Sequence, residues 1–369
     1  MPRTKSSKGE EYLPFYDLDD VFNIRDYRGS VWRASTPDEQ SAVVEEIFSH
    51  YRYKHGFPYP TLTDEETYKA LWTLRNRSPR ISEDRQILWD PTGGTICTHF
   101  FPHLWEVPFR GKKTAMDAFK NDEWFKDAIR LALRIKDTVT VTDIIGAFSL
   151  GTKASVGVVS RFKPMAAKAI WERYAPDGGV CYDYACGWGG RLLGCASSKK
   201  RLTYIGVDPE PRTFACLNTL SSTIQEVYKD APSAISIHKV GSEDFCPPEL
   251  EGQVDVAFSS PPYFNLERYS DDPTQSHVKF PEADKWLDGF LLKTFENIRT
   301  MLKPGGVVGL NMIDFDTTKI VDGAKDRLRS LGFIEMETLG IQMVQRRGNG
   351  QDTTRSFKTE PVYVFRKPR

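Results

Sequence analysis

The sequence predicts an α/β protein. Seven strands would form a mostly parallel sheet with an antiparallel closing hairpin, behind an N-terminal, mainly helical region. Three observations carry this. From about residue 156, short β-rich runs alternate with helical patterns, as in parallel sheets covered on both faces. The last two strand-like runs leave no room for a helix between them, so a hairpin fits better than a crossover. Residues 1 to about 150 show helical spacing but no glycine fingerprint, so we divide the chain into 1–150 and 151–369.

In the first region, Val43, Val44, Ile47 and Phe48 recur at three-to-four spacing and predict a helix over 38–53. Thr63 can cap a second helix over 63–76, with Glu66 closing a capping box. A third helix is expected over 115–135, with Ala118, Phe119, Trp124, Phe125, Ile129, Leu131 and Leu133 on its apolar face. The aromatic, proline-containing stretch 87–109 reads as short strands and turns. Tyr51-Arg52-Tyr53-Lys54-His55 and Arg110-Gly111-Lys112-Lys113 interleave basic and aromatic residues. That suits a nucleic-acid surface, or equally a solvated helical domain with an aromatic core. Cys97, His99 and His103 lack the fourth ligand that a structural zinc site needs, so no metal is expected.

In the second region, 165–174 reads as a helix. Strands follow at 180–185, 202–207, 235–240, 254–259 and 307–313, then 333–344 with 362–365 as the closing pair. Helices are expected at 187–196, 214–228, 286–301 and 320–331.

Composition narrows the class. A chain of 369 residues accommodates a catalytic domain and a second region of similar size. Fifty Lys plus Arg balance fifty Asp plus Glu, so any attraction to nucleic acid must come from local clusters. The six cysteines form no CxxC pair and read as reduced thiols. No apolar run approaches membrane-spanning length, and the polar N-terminus does not read as a signal peptide. A soluble, cytoplasmic protein of a bacterial or phage-infected cell is expected.

The chemistry gathers at strand ends, where open sheets bind ligands. The run 254–258 exits into Ser259-Ser260-Pro261-Pro262-Tyr263-Phe264. Successive prolines donate no N–H and fix the directions of the carbonyls around them, and an aromatic ring follows. This suits a planar base held by its exocyclic amine. Asp183-Tyr184-Ala185-Cys186-Gly187-Trp188-Gly189-Gly190-Arg191 brings backbone close to a ligand at a strand-to-helix turn. Its glycine spacing differs from Gly-x-Gly-x-x-Gly, which disfavours a dinucleotide-dependent oxidoreductase. Asp208, followed by Pro209, can bind a ribose diol. Asp244 can accept from an adenine amine, with Phe245 flanking the ring.

In this order the pieces resemble the S-adenosylmethionine-dependent methyltransferases that modify exocyclic amines in DNA, over roughly residues 156–369. The resemblance implies the Rossmann-like sheet of that family and S-adenosylmethionine as cofactor. It makes Asp183, Ala185, Cys186, Gly187 and Gly189 the cofactor loop, Asp208 and Pro209 the ribose side, and Asp244 and Phe245 the adenine side. Ser259 adds a cofactor contact, and Phe162, in Arg161-Phe162-Lys163-Pro164, leans on the methionine end. Ser260, Pro261, Pro262 and Tyr263 match the catalytic tetrapeptide, in the form common in cytosine-N4 enzymes; adenine-N6 enzymes more often begin it with Asp or Asn. The whole chain is also similar to phage-type DNA methylases.

Two departures stand out. No target-recognition domain fits between or after the motifs, so by elimination recognition falls to residues 1–150. The expected partner is double-stranded DNA, with Phe264, Arg268, Arg346 and Arg347 as nucleic-acid contacts. The continuation Trp188-Gly189-Gly190-Arg191 is bulkier and more charged than a typical cofactor turn. The tetrapeptide chemistry equally permits an RNA base as target, and a catalytically silent binding module is the reading from another class. No Pro-Cys dipeptide occurs, which argues against cytosine-C5 chemistry.

Overall fold

The computed structural model describes residues 22–150, 156–229, 234–264, 266, 268–315, 319–345 and 356–369. Two compact units result, each drawn from two stretches of chain. The first takes Met1–Thr61 and Pro102–Val159, the second Leu62–Phe101 and Ser160–Arg369. The first 150 residues therefore do not stay together: 62–101 pack with the sheet.

The first unit is helical, with helices Gly29–Ala34, Pro37–Ser49, Ala115–Lys120, Asp122–Ile135 and Val141–Leu150. Phe48, Phe119, Phe125, Ile129 and Phe148 close its core. Thr36 caps Pro37–Ser49 through a capping box with Glu39, and a π-helical turn, His50–His55, extends it. The single helix expected over 115–135 is two. Asn121 ends the first and caps the second, its side chain accepting the Trp124 N–H, a bond worth about 1 kcal/mol. In the basic-aromatic stretch, Arg52 turns inward. Its guanidinium donates to the carbonyls of Phe119 and Lys120, pairs with Asp122 and lies over the Phe119 ring.

The second unit is built on eight strands: β1 Gln86–Ile87, β2 Val180–Asp183, β3 Thr203–Val207, β4 Ile235–His238, β5 Val254–Ser259, β6 Leu302–Asn311, β7 Ile334–Gln345 and β8 Ser356–Arg366. They lie in the order β1-β7-β8-β6-β5-β2-β3-β4, and β8 alone runs antiparallel to its neighbours. The seven expected strands are all present. The eighth, β1, is too short to leave a periodic signal and adds to the edge beside β7. In β5, Val256, Ala257, Phe258 and Ser259 are all buried, as in a strand covered on both faces.

The capping box on Asp64–Asn76 forms as expected, Thr63 Oγ1 accepting from the Glu66 N–H and Glu66 from the Thr63 N–H. The far end of that helix rests on a buried charge: the Lys168 ammonium donates to the carbonyls of Leu74, Arg75 and Arg77 at 3.0, 2.9 and 2.9 Å. A cation at a helix C-terminus complements the dipole, although burial holds this amine down at about 8. Gly94–Phe100 is a helix, where the sequence suggested strands and turns. Gly93, at φ +86°, turns the chain into it and packs on Pro164. The six cysteines are free thiols. Among the described residues no helix is long and apolar enough to cross a membrane.

Candidate functional site

Chain order reverses between β2 and β5. From β2 the sheet grows outward through β3 and β4; the chain then returns to lay β5 against the other side of β2. Because β2 and β5 are parallel, with Cys181 opposite Val256 and Tyr182 opposite Ala257, their carboxyl ends open side by side. The glycine turn leaves one and Ser260-Pro261-Pro262-Tyr263 leaves the other. Such a crevice is where open α/β sheets bind ligands.

The two exits are tied together by a buried carboxylate. Asp183, fully buried, accepts from Arg191 Nε (3.0 Å to each oxygen), the Tyr204 hydroxyl (2.7 Å), the Ser259 hydroxyl (2.8 Å) and the Ala185 N–H (3.3 Å). Arg191, 4% exposed, also donates to the Ala185 carbonyl, and Phe162 lies over its guanidinium at 5.3 Å. The side chains of Asp183 and Ser259, expected at the cofactor, are thus engaged with one another and with the turn. Both side chains point inward and hold the turn, as buried polar groups with hydrogen-bond partners do. The Cys186 thiol is buried 3.4 Å from the Tyr204 hydroxyl, and burial pushes its pKa well up. Arg191 is the ion-pair partner of Asp183, and Trp188 is buried edge-on to Phe101 and Tyr269.

Gly187 and Gly190 show why glycines stand here. Gly187 has φ +52°, and a Cβ placed on it would meet no atom closer than 4.0 Å, so its missing side chain faces open space. A Cβ on Gly190 would lie 2.0 Å from the Phe162 carbonyl oxygen, so only glycine lets the two backbones touch. Gly189, at φ +70°, packs its backbone on Leu220 and Phe101.

Asp208 follows β3, beside half-buried Pro209. It accepts from the Gly187 N–H (2.9 Å) and the Glu210 N–H (3.1 Å). Burial raises its pKa to about 7 against those two donors. After β4, Phe245 stacks on Tyr182 at 5.7 Å and 25°. Asp244 has a 60% exposed side chain and pairs with Lys279 at 2.9 Å. Its neighbour Glu243, which the sequence did not single out, is 5% exposed and pairs with the same lysine at 2.7 Å.

In the tetrapeptide, the Ser260 hydroxyl meets the Tyr263 hydroxyl at 3.0 Å, which donates to Asn311 Oδ1 at 3.3 Å. Asn311 Nδ2 in turn donates to the Pro361 carbonyl of β8 at 2.8 Å. Asn311, at the end of β6, is thus a site residue missed in the sequence; its position at a strand's carboxyl end was the available signal. Pro261 is buried and Pro262 half-buried. Phe264 was expected as a nucleic-acid contact. At φ +53° its ring turns into the core, 8% exposed and 6.0 Å from Trp286. Arg268 is exposed. Arg346 and Arg347 lie outside the described residues. Of the weighed metal ligands, Cys97 is fully buried with its pKa raised to about 11, and His99 Nδ1 accepts the Leu62 N–H. Among the described residues no group of three His, Cys, Asp or Glu is placed to hold a metal.

No family model matches the chain, and no curated protein matches it in sequence. Solved structures do resemble it. A methyltransferase from Pyrococcus furiosus is similar over 56% of this chain and 83% of its own, at 18% identity and a TM-score of 0.37. A SAM-dependent methyltransferase from Methanosarcina mazei covers 54% of this chain and 97% of its own, at 13% identity and a TM-score of 0.38. TrmN from Thermus thermophilus covers 55% and 48%, at 17% and 0.36.

Proposed function

We propose that the second unit transfers a methyl group from S-adenosylmethionine to an exocyclic amine of a DNA base, with N4 of cytosine as the first target and N6 of adenine as the second. The observation that supports this is the adjacency of the glycine turn and Ser260-Pro261-Pro262-Tyr263 where the strand order reverses, with the Ser259 hydroxyl joined to Asp183 at 2.8 Å.

The residues fit the donor. Gly187 leaves open space beside Asp208, whose two oxygens each accept one backbone N–H and keep a lone pair for a ribose hydroxyl. Phe245 would flank the adenine, and Phe162 the methionine end. When bound, S-adenosylmethionine supplies an electrophilic sulfonium methyl. The lone pair of an aromatic amine is delocalised into the ring, so the amine is a poor nucleophile. The Ser260 hydroxyl and Pro261 carbonyl accept from its two N–H bonds and favour a pyramidal nitrogen; the Tyr263 ring stacks on the base. Positioning and electrostatics carry the rate enhancement, with no covalent enzyme intermediate. A base in a duplex must first be flipped out. Recognition of the surrounding sequence is assigned to the first unit.

Incubating the protein with labelled S-adenosylmethionine and duplex DNA, single-stranded DNA or RNA, then identifying the methylated nucleoside by mass spectrometry, tests the reading. N4-methylcytosine in duplex DNA is expected, and Ser260→Ala should lower turnover far more than it weakens cofactor binding. 5-Methylcytosine, or no transfer to any polymer, would overturn it.

A further inference from the structure

Arg161 and Lys163 flank Phe162 at the same end of the sheet as the tetrapeptide. The Phe162 ring rests edge-on against Phe258, two residues before Ser260, at 5.4 Å, and its carbonyl packs on Gly190, so this short segment is fixed in place. Both cations are half-buried. Among the described residues neither side chain has a hydrogen bond or ion pair. Each is pulled below its ordinary pKa, chiefly by burial, and Arg161 adds repulsion to Lys163. The one carboxylate that favours the charged Lys163, Glu360, is itself paired with Lys358 at 3.4 Å. Two neighbouring cations partly withdrawn from water without a counter-ion are unfavourable unless an anion joins them.

We propose, on the basis of the function above, that Arg161 and Lys163 bind a backbone phosphate of the strand carrying the target base. The Arg161 guanidinium offers paired donors to two phosphate oxygens, while Lys163 supplies a compact charge. A chain with no net charge needs such a local cluster to hold a polyanion. The pair therefore selects a nucleotide in a strand over a free base or nucleoside.

The test is the salt dependence of binding, read by fluorescence anisotropy with labelled 20-mers of duplex DNA, single-stranded DNA and RNA. For the polymer the wild type binds, R161Q/K163Q should flatten the slope of log Kd against log salt by about 0.7–0.9, one phosphate's worth. Each single variant should remove about half of that, and R161K should keep most of it. Calorimetric S-adenosylmethionine affinity should be unchanged, which also shows that the variants fold. An unchanged slope, no binding of any 20-mer by the wild type, or a loss of cofactor affinity in place of the slope change would overturn the proposal; the last would assign the pair to the cofactor carboxylate. Methyl transfer is measured in parallel. A flattened slope without transfer keeps the phosphate pair and sinks the methyltransferase reading; transfer with an unchanged slope does the reverse.

Discussion

Replacing Arg191 with leucine would leave the Asp183 carboxylate charged, fully buried and short of its main partner. Asp183 would keep only the Tyr204 and Ser259 hydroxyls and the Ala185 N–H. Breaking a buried pair by removing one member typically costs about 3–5 kcal/mol, a large share of the roughly 5–15 kcal/mol that holds a domain folded. Asp183→Asn should cost a similar amount, since it leaves the Arg191 cation 4% exposed without its carboxylate. The double variant D183N/R191L removes both charges, so it should be more stable than the sum of the two losses by at least about 2 kcal/mol. Urea denaturation of the four proteins, followed by circular dichroism, gives the cycle. Single losses below about 1 kcal/mol, or additivity within about 0.5 kcal/mol, would refute the claim that this pair braces the turn.

Asp208, raised to about 7, holds a proton in the folded state that the unfolded chain has lost, so its contribution makes stability fall as pH rises from about 4 to about 7. Hydrogen bonds from a ribose diol favour the carboxylate, so S-adenosylmethionine affinity should rise over pH 6–7.5 and then level; in Asp208→Asn both dependences should flatten, and a wild-type affinity that does not change with pH would refute the assignment. Asn311→Ala removes the acceptor of the Tyr263 hydroxyl and leaves it its Ser260 contact, and should lower kcat about 10- to 100-fold with cofactor affinity unchanged; an unaltered kcat would show that Tyr263 does not need the Asn311 anchor. Gly190→Ala drives a methyl group into the Phe162 carbonyl, and should destabilise by about 2 kcal/mol or more in thermal melts; a variant as stable as the wild type would contradict the close approach.

How much was readable followed the range of the interactions. The Thr63–Glu66 capping box and the strand at 254–259 depend on neighbours in sequence, and both stand as read. The break at Asn121 is equally local, but the apolar spacing on either side of it masked the cap. Gly94–Phe100 is a helix although Thr95, Ile96, Thr98 and Phe100 are poor helix formers, because burial of Ile96 and Cys97 outweighs propensity. The inward face of Asp183 was hidden for a different reason. Its partners Tyr204 and Ser259 lie 21 and 76 residues away, and no local pattern distinguishes a strand-end carboxylate facing ligand from one facing arginine. Asn311 joins Tyr263 only because β6 lies beside β5.

The seat that Lys168 makes for helix Asp64–Asn76 also sets an order of events on the ribosome. When that helix emerges, the ammonium that will receive Leu74, Arg75 and Arg77 has not been made, and roughly 90 further residues must be added first. At about 5–20 residues per second this is a wait of roughly 5–18 s. In that interval the helix has its capping box but no floor, and residues 102–159, all translated within it, can fold first.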